Sequence, residues 1–269
     1  MPLDALVLAL TAALLHALWN LLLARERDTE AAAAVGVSMI LLVMAVPAAL
    51  TWRVESAAIP FVVISGTLEL VYVILLVAAS RRFELSLVYP VARGLAPVTV
   101  LVLSVIVAVS WPSAGEVAGV LAVAAGVLLV RGRLRGNLVG LGAGALIAAV
   151  IAGYTVADRY GIHHANAAPY LVLVLLPPAV AFPLFVGRER YTTAFSPSTL
   201  AIGVASACAY LFVLLALRLA SAPAVAAVRE TSVVIATALA SVVLKERVGP
   251  VRLAGSVLVA AGVALLALS

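Results

Sequence analysis

Apolar runs about twenty residues long recur along the chain, each closed by a short cluster of charged, Gly or Pro residues. Ten such runs fall at 3–24, 31–51, 58–80, 85–108, 113–130, 137–157, 167–187, 198–220, 223–244 and 249–268. A helix rising 1.5 Å per residue needs roughly twenty residues to cross a hydrocarbon layer of about 30 Å. The strict alternation of barrel strands is not seen within the runs. The pattern therefore predicts an all-α integral membrane protein of ten transmembrane helices. Its connections are mostly short, so that successive helices are neighbours. Pro177, Pro178 and Pro183 predict a kink or break in the seventh run. The first run meets its first charge at Asp4, has no basic start and exceeds the apolar core of a signal peptide, so it is expected to be a retained span.

Composition agrees with this pattern. Of 269 residues, 65% are hydrophobic and 11% charged, against about 45–50% and 25% in soluble domains. A soluble globule and a disordered chain are both excluded. The net charge of +5 reads first as a topology signal rather than as affinity for nucleic acid. Twelve basic residues (Arg25, Arg27, Arg81, Arg82, Arg131, Arg133, Arg135, Arg188, Arg190, Lys245, Arg247, Arg252) occupy the loops that follow odd-numbered runs. Only Arg53, Arg159 and Arg218 lie at the opposite ends. The positive-inside rule places the crowded side in the cytoplasm and both termini outside, in a multi-pass protein of the bacterial inner (plasma) membrane. With the single cysteine Cys208, no internal disulfide or cysteine metal cluster can form. Neither a cofactor nor a metal is expected.

Two arginines, Arg93 and Arg229, fall inside apolar runs, 136 positions apart. The same shift carries Gly119 onto Gly255 and Ala124-Ala125-Gly126-Val127 onto Ala260-Ala261-Gly262-Val263. Such a repeat divides the chain into residues 1–131 and 132–269. Each half holds five spans, an odd number, so the halves must be inverted relative to one another, an arrangement common in secondary transporters. The loop charges agree. The fourth loop, Ser110-Trp111-Pro112-Ser113-Ala114-Gly115-Glu116, has no Lys or Arg, whereas its repeat mate carries Lys245, Arg247 and Arg252.

A charge at mid-bilayer costs at least about 2.5–3.5 kcal/mol, which makes intramembrane ionisable residues functional candidates. Arg93, Arg229, Glu69, Glu230 and His16 lie near the middle of their runs. Helical spacing adds neighbours on the same faces. His16, Trp19 and Asn20 share a stripe, Glu69 lies three residues before Tyr72, and Tyr89 lies four before Arg93. Tyr154 and Asp158 repeat that last step. Pro90, Gly94 and Pro97 should loosen the helix around Arg93 and turn it toward a cavity. The candidate substrate-binding residues are Arg93, Arg229, Tyr89, Trp19, Asn20, Tyr154 and Tyr72, with His16, Glu69 and Glu230 as candidates for proton coupling. A second reading stands beside each. The arginines could be structural clamps, Arg93 on Glu69 or on freed carbonyls, Glu230 a simple salt-bridge partner, and Trp19 part of an interfacial belt. The run Asp158, Arg159, His163, His164 reads as a solvated loop rather than a metal site.

There is no GxxxxGK[ST] for ATP hydrolysis and no HExxH, and the sole lysine, Lys245, lies at a helix end. No nucleophile or metal set accompanies the buried charges, which argues against a membrane enzyme.

Three stretches resemble the EamA-type proteins of the drug/metabolite transporter superfamily: Leu14–Arg25 (LLHALWNLLLAR), Tyr89–Pro97 (YPVARGLAP) and the tail from Val228, VRETSVVIATALASVVLKERVGPVRLAGSVLVAAGVALL. The resemblance spans essentially the whole chain. It implies ten helices in two inverted five-helix repeats around a central cavity, alternating access without ATP, and export of an amino acid, organic anion or other small metabolite. Import or uncoupled facilitation by the same fold is the alternative, with a membrane enzyme or receptor behind it. The expected partners are a small-molecule substrate, the lipid bilayer and protons, in a monomer or homodimer.

In a Cys208-free background, cysteine at position 133 should react with membrane-impermeant maleimide only after the cells are opened, and cysteine at position 53 from outside. Labelling of position 133 on intact cells would reverse the topology.

Overall fold

The computed structural model of the protein describes residues 1–83, 85–107, 111–131, 138–244 and 249–269. Twelve helices follow one another in it. They are α1 (Leu3–Leu23), α2 (Thr29–Leu50), α3 (Ile59–Arg82), α4 (Leu85–Val107), α5 (Ala114–Arg131), α6 (Leu138–Gly161), α7 (Ala167–Val186), α8 (Arg188–Thr193), α9 (Pro197–Leu219), α10 (Ala222–Arg229), α11 (Thr231–Leu244) and α12 (Pro250–Leu268). Among the described residues, eight helical stretches are long and apolar enough to cross a membrane, and two shorter apolar helices run over Val91–Val107 and Ala114–Val130. The expected boundary between halves after residue 131, and the basic residues Arg133, Arg135, Lys245 and Arg247, lie outside the described residues.

Helices are the only spans such a sequence can make here, because lipid offers no partner for a backbone N–H or C=O. Their starts carry the expected chemistry. Asp28 caps α2 by accepting from the Ala31 N–H, Ser196 and Thr199 form a capping box ahead of α9, and Ser221 caps α10. Large apolar side chains such as Val7, Leu42, Ile106 and Leu184 point outward, the reverse of a soluble protein and the natural face toward lipid.

The helix break falls elsewhere than expected. Helix α7 runs without interruption through Pro177, Pro178 and Pro183. It ends at Gly187, whose φ of 88° is a conformation glycine adopts without strain, and which turns the chain into α8. Helix α4 likewise continues past Pro90, Gly94 and Pro97. The run at 223–244 is instead divided into α10 and α11 at Glu230. Buried side-chain chemistry, not proline, marks this break.

Packing follows a regular scheme. Helix α1 lies on α9 and α3 on α6; α2 lies on α9 and α3 on α7; α6 lies on α4, and α1 on α10 and α11. Two further pairs, α2 with α7 and α5 with α12, complete it. The seam between α5 and α12 brings two backbones together. A Cβ on Gly126 would stand 2.7 Å from the Gly255 carbonyl oxygen, and one on Gly255 2.7 Å from that of Gly126. Gly119 and Gly262 face each other similarly, at 3.0 and 2.8 Å. Glycine here lets two backbones touch, the packing that drives association where lipid supplies no hydrophobic force between helices.

Gly126→Ala and Gly255→Ala should each cost about 1–3 kcal/mol through overpacking, read as a lower apparent Tm of the detergent-purified protein. Gly142→Ala, where a Cβ meets nothing within 4 Å, should be neutral or slightly stabilising.

Candidate functional site

Between the helices lies a cavity of about 430 Å³, within the usual range for small-molecule sites. One end reaches Leu23, Ala24, Thr29 and Glu30 at the α1–α2 junction, and its depth reaches Glu69, Tyr154 and Arg229. All seven residues expected to bind substrate line it: Trp19, Asn20, Tyr72, Tyr89, Arg93, Tyr154 and Arg229, together with His16 and Glu69. These come from α1, α3, α4, α6 and α10, which no local stretch of sequence could bring together. The apolar part of the lining includes Leu175, Pro178 and Phe182 from α7 and Ile202 and Val213 from α9.

The two arginines are in different situations. Arg93 is buried, its Nε 3.1 Å from Glu230 Oε2 and its Nη2 donating to Ser232 Oγ at 3.3 Å. Among the described residues Arg229 has neither an ion-pair nor a hydrogen-bond partner, and it lines the cavity. Of the proton-coupling candidates, Glu230 is consumed by the pair with Arg93 and does not line the cavity. Glu69 meets Tyr210 rather than Arg93, with the phenol donating to Oε1 at 3.0 Å. The His16 ring stands edge-on to Trp19 at 4.8 Å, and its Nε2 is buried without a hydrogen-bond partner among the described residues. Asn20 spends its amide N–H on the His16 carbonyl at 2.7 Å. Trp19 is a wall of the cavity.

One expectation is overturned. Asp158 is not in a solvated loop: α6 continues to Gly161, and Asp158 is 1% exposed. It accepts from Ser65 Oγ at 2.5 Å, Tyr170 OH at 3.1 Å and Tyr210 OH at 2.8 Å. A buried carboxylate holds its charge only with such donors. Sequence reasoning stopped the sixth run at 157 because charged and histidine residues follow, and so missed Asp158 with Ser65, Tyr170 and Tyr210. The spacing of Tyr154 and Asp158 held a clue, as did the lone phenol of Tyr210 in an apolar run, since a tyrosine hydroxyl in lipid must find a partner. His163, by contrast, is exposed beyond the helix.

The two ends of the cavity differ. Opposite the α1–α2 junction, the segments 51–58 and 162–166 are laced together. Val54 and Ala165 form an antiparallel bridge, Glu55 N–H donates to the His164 carbonyl, and Asn166 N–H to that of Arg53. Asn166 Nδ2 also donates to the Thr51 carbonyl at 2.7 Å, and Arg218 donates to the carbonyls of Ile162 and Ala165. Glu55 pairs with Arg53 at 2.7 Å, and hydrogen bonds from Arg53 and then His164 hold its carboxyl below the usual range. At the α1–α2 end Arg190 clasps Asp28 with two 2.7 Å bonds and also reaches Glu30, which Arg81 shares. The Arg190 hydrogen bond is the main cause that holds Asp28 below its ordinary value.

Glu230→Gln should leave Arg93 charged and uncompensated in an apolar interior, costing about 3–5 kcal/mol. The readout is a sharp fall in apparent Tm, which the double change with Arg93→Met should largely restore.

Comparison with known proteins places this arrangement. A solved crystal structure of a protein superimposes with a TM-score of 0.78 at 17% identity, covering 100% of this chain and 98% of that one. At that identity the likeness speaks for the fold. No curated protein matches the chain. Residues 138–268 match the EamA-like transporter family, part of the drug/metabolite transporter superfamily, and this match points to a membrane transporter.

Proposed function

We propose that the protein is a secondary transporter that exports a small metabolite bearing a carboxylate or similar anionic group, by alternating access and without ATP. The observation that carries this reading is Arg229, a guanidinium facing a roughly 430 Å³ cavity with no carboxylate in ion-pair contact among the described residues. A guanidinium presents a planar fork that suits a carboxylate, and an unpaired one inside a membrane is costly unless a ligand completes it. Trp19, Tyr72 and Tyr154 supply an apolar wall for the rest of the solute, while Asn20 and His16 orient it. Arg93, held by Glu230 and Ser232, sets the shape of the floor and adds its field.

Several features support two inverted five-helix repeats, residues 1–131 and 132–269. Under a shift of five spans, the pair α1 with α9 becomes α6 with α3, the pair α2 with α9 becomes α7 with α3, and α4 with α6 becomes the divided ninth span with α1. The contact of Gly126 with Gly255 likewise becomes that of Gly262 with Gly119. A pseudo-twofold axis in the membrane plane would generate these pairings. The cavity opens beside Arg25, Arg81 and Arg190, the face that loop charge assigns to the cytoplasm, with both termini outside. The laced segments 51–58 and 162–166 close the other face. An inward-open cavity loads from the cytoplasm, which favours export.

A thermal-shift screen of amino acids and organic acids on purified protein identifies the solute. That solute should show saturable counterflow in proteoliposomes with no product formed. Arg229→Ala should lower counterflow at least tenfold and abolish the thermal shift while leaving the protein monodisperse. Full activity in that variant would defeat the assignment of the site.

A further inference from the structure

Tyr210 stands between two buried carboxyls. Its oxygen is 3.0 Å from Glu69 Oε1 and 2.8 Å from Asp158 Oδ2. Glu69 and Asp158 are 8% and 1% exposed. A phenol has one hydrogen and can donate it to only one of them. The other contact is a hydrogen bond only if that carboxyl is itself protonated and donates to the phenol oxygen. Two ionised carboxylates on one phenol would leave a lone-pair clash, together with like-charge repulsion in an apolar interior. The geometry therefore admits one proton shared across the pair.

Charge counting reaches the same number independently. Arg93 is matched by Glu230. The cation whose field reaches both Glu69 and Asp158 is Arg229, and the phenol of Tyr154 is a further titratable neighbour of Glu69 and Tyr210. With one proton on the pair, a single remaining carboxylate balances Arg229 and the interior is neutral. With none, it carries an excess negative charge. Neutrality is the state a membrane interior favours.

We propose that Glu69, Tyr210 and Asp158 form a one-proton relay that carries the coupling proton of the transport cycle between the cavity and the sealed end of the protein. The relay rests on the transport reading above for its role, but not for its existence. Asp158 accepts from Ser65, Tyr170 and Tyr210, a donor set suited to the ionised form, so the proton resides on Glu69, which lines the cavity. Transfer is a concerted double step. The Glu69 hydroxyl proton passes to Tyr210 Oη as the Tyr210 hydroxyl proton passes to Asp158 Oδ2. One O–H bond breaks and one forms at the phenol, which stays neutral, and one proton has moved from Glu69 to Asp158. Asp158 does not line the cavity. It lies in the last turn of α6, where its carbonyl accepts from Ile162 N–H at the start of segment 162–166, the strand of chain laced to residues 51–58. A proton delivered there is one helical turn from segment 162–166, on the side away from the α1–α2 end of the cavity, where a proton must leave or enter if its movement is to be coupled to that of the solute.

The test needs no solute. Attenuated-total-reflection infrared spectra of lipid-reconstituted protein, perfused from neutral to alkaline buffer, should show loss of one protonated-carboxyl C=O band. Glu69→Gln should abolish the band. Asp158→Asn should abolish it as well, because Tyr210 can then donate to an ionised Glu69 that alone balances Arg229. Tyr210→Phe removes one oxygen with little effect on packing. It should keep the band but move it to higher wavenumber, as the acid loses its acceptor. Absence of the band from the native protein, its persistence at full intensity in Asp158→Asn, or an unmoved band in Tyr210→Phe would each overturn the relay. If Asp158→Asn fails to fold, the other two variants still decide. Absence of the band leaves the transport reading standing, and failure of counterflow leaves the relay standing, so the two ideas fail separately.

Discussion

Arg93 and Glu230 meet 3.1 Å apart where, among the described residues, an apolar run is divided into two helices, and much of the interior is arranged around that pair. An ion taken out of water costs several kcal/mol, which a well-placed counter-charge and further hydrogen bonds must offset. Dividing the span at Glu230 sends Arg229 to the cavity and turns Glu230 back toward Arg93 on α4, so adjacent residues serve opposite purposes. One guanidinium is satisfied by protein, and the other faces the cavity without an ion-pair partner among the described residues. Ser232, two residues further on, completes the hydrogen bonding of Arg93.

The same constraint explains the polar cluster deeper in the fold. Asp158 is tolerated at 1% exposure because three hydroxyls from α3, α7 and α9 converge on it. These donors tie together helices that would otherwise touch only through methyl groups, and lipid provides no hydrophobic force to hold them. The close glycine seam of α5 and α12 meets the same need by van der Waals contact. One side of the molecule is thus held by backbone-to-backbone packing, and the other by buried hydrogen bonds that include titratable groups. The second kind of contact can change with protonation, and it is the one beside the cavity.

The polar positions that line the cavity were largely legible. Arg93, Arg229, Glu69 and His16 stand out because charge in an apolar run is expensive, and helical spacing added Trp19, Asn20, Tyr72, Tyr89 and Tyr154; all of these line the cavity. Their partners were not legible. Glu69 is as plausible a mate for Arg93 as Glu230 in the sequence, and Asp158 looked like a loop residue because Arg159, His163 and His164 follow it. Tyr210, alone in an apolar run, offered no neighbour at helical spacing to mark it. The prolines of α7 misled for a related reason. A helix can absorb a proline when its surroundings satisfy the freed carbonyls, and those surroundings are tertiary.

By itself the sequence determined the class of the protein, the places of its apolar helices and most of the positions where charge enters them, because each follows from the local cost of exposing a polar group to lipid. The charge bias of the loops is local in the same sense. Tertiary structure decided which charges pair with one another, which guanidinium faces the cavity, where a span is divided and which segments are laced together beyond it. Those outcomes depend on distances of a few ångströms between helices far apart in the chain, and in a low-dielectric interior a few ångströms separate a paired charge from an unpaired one.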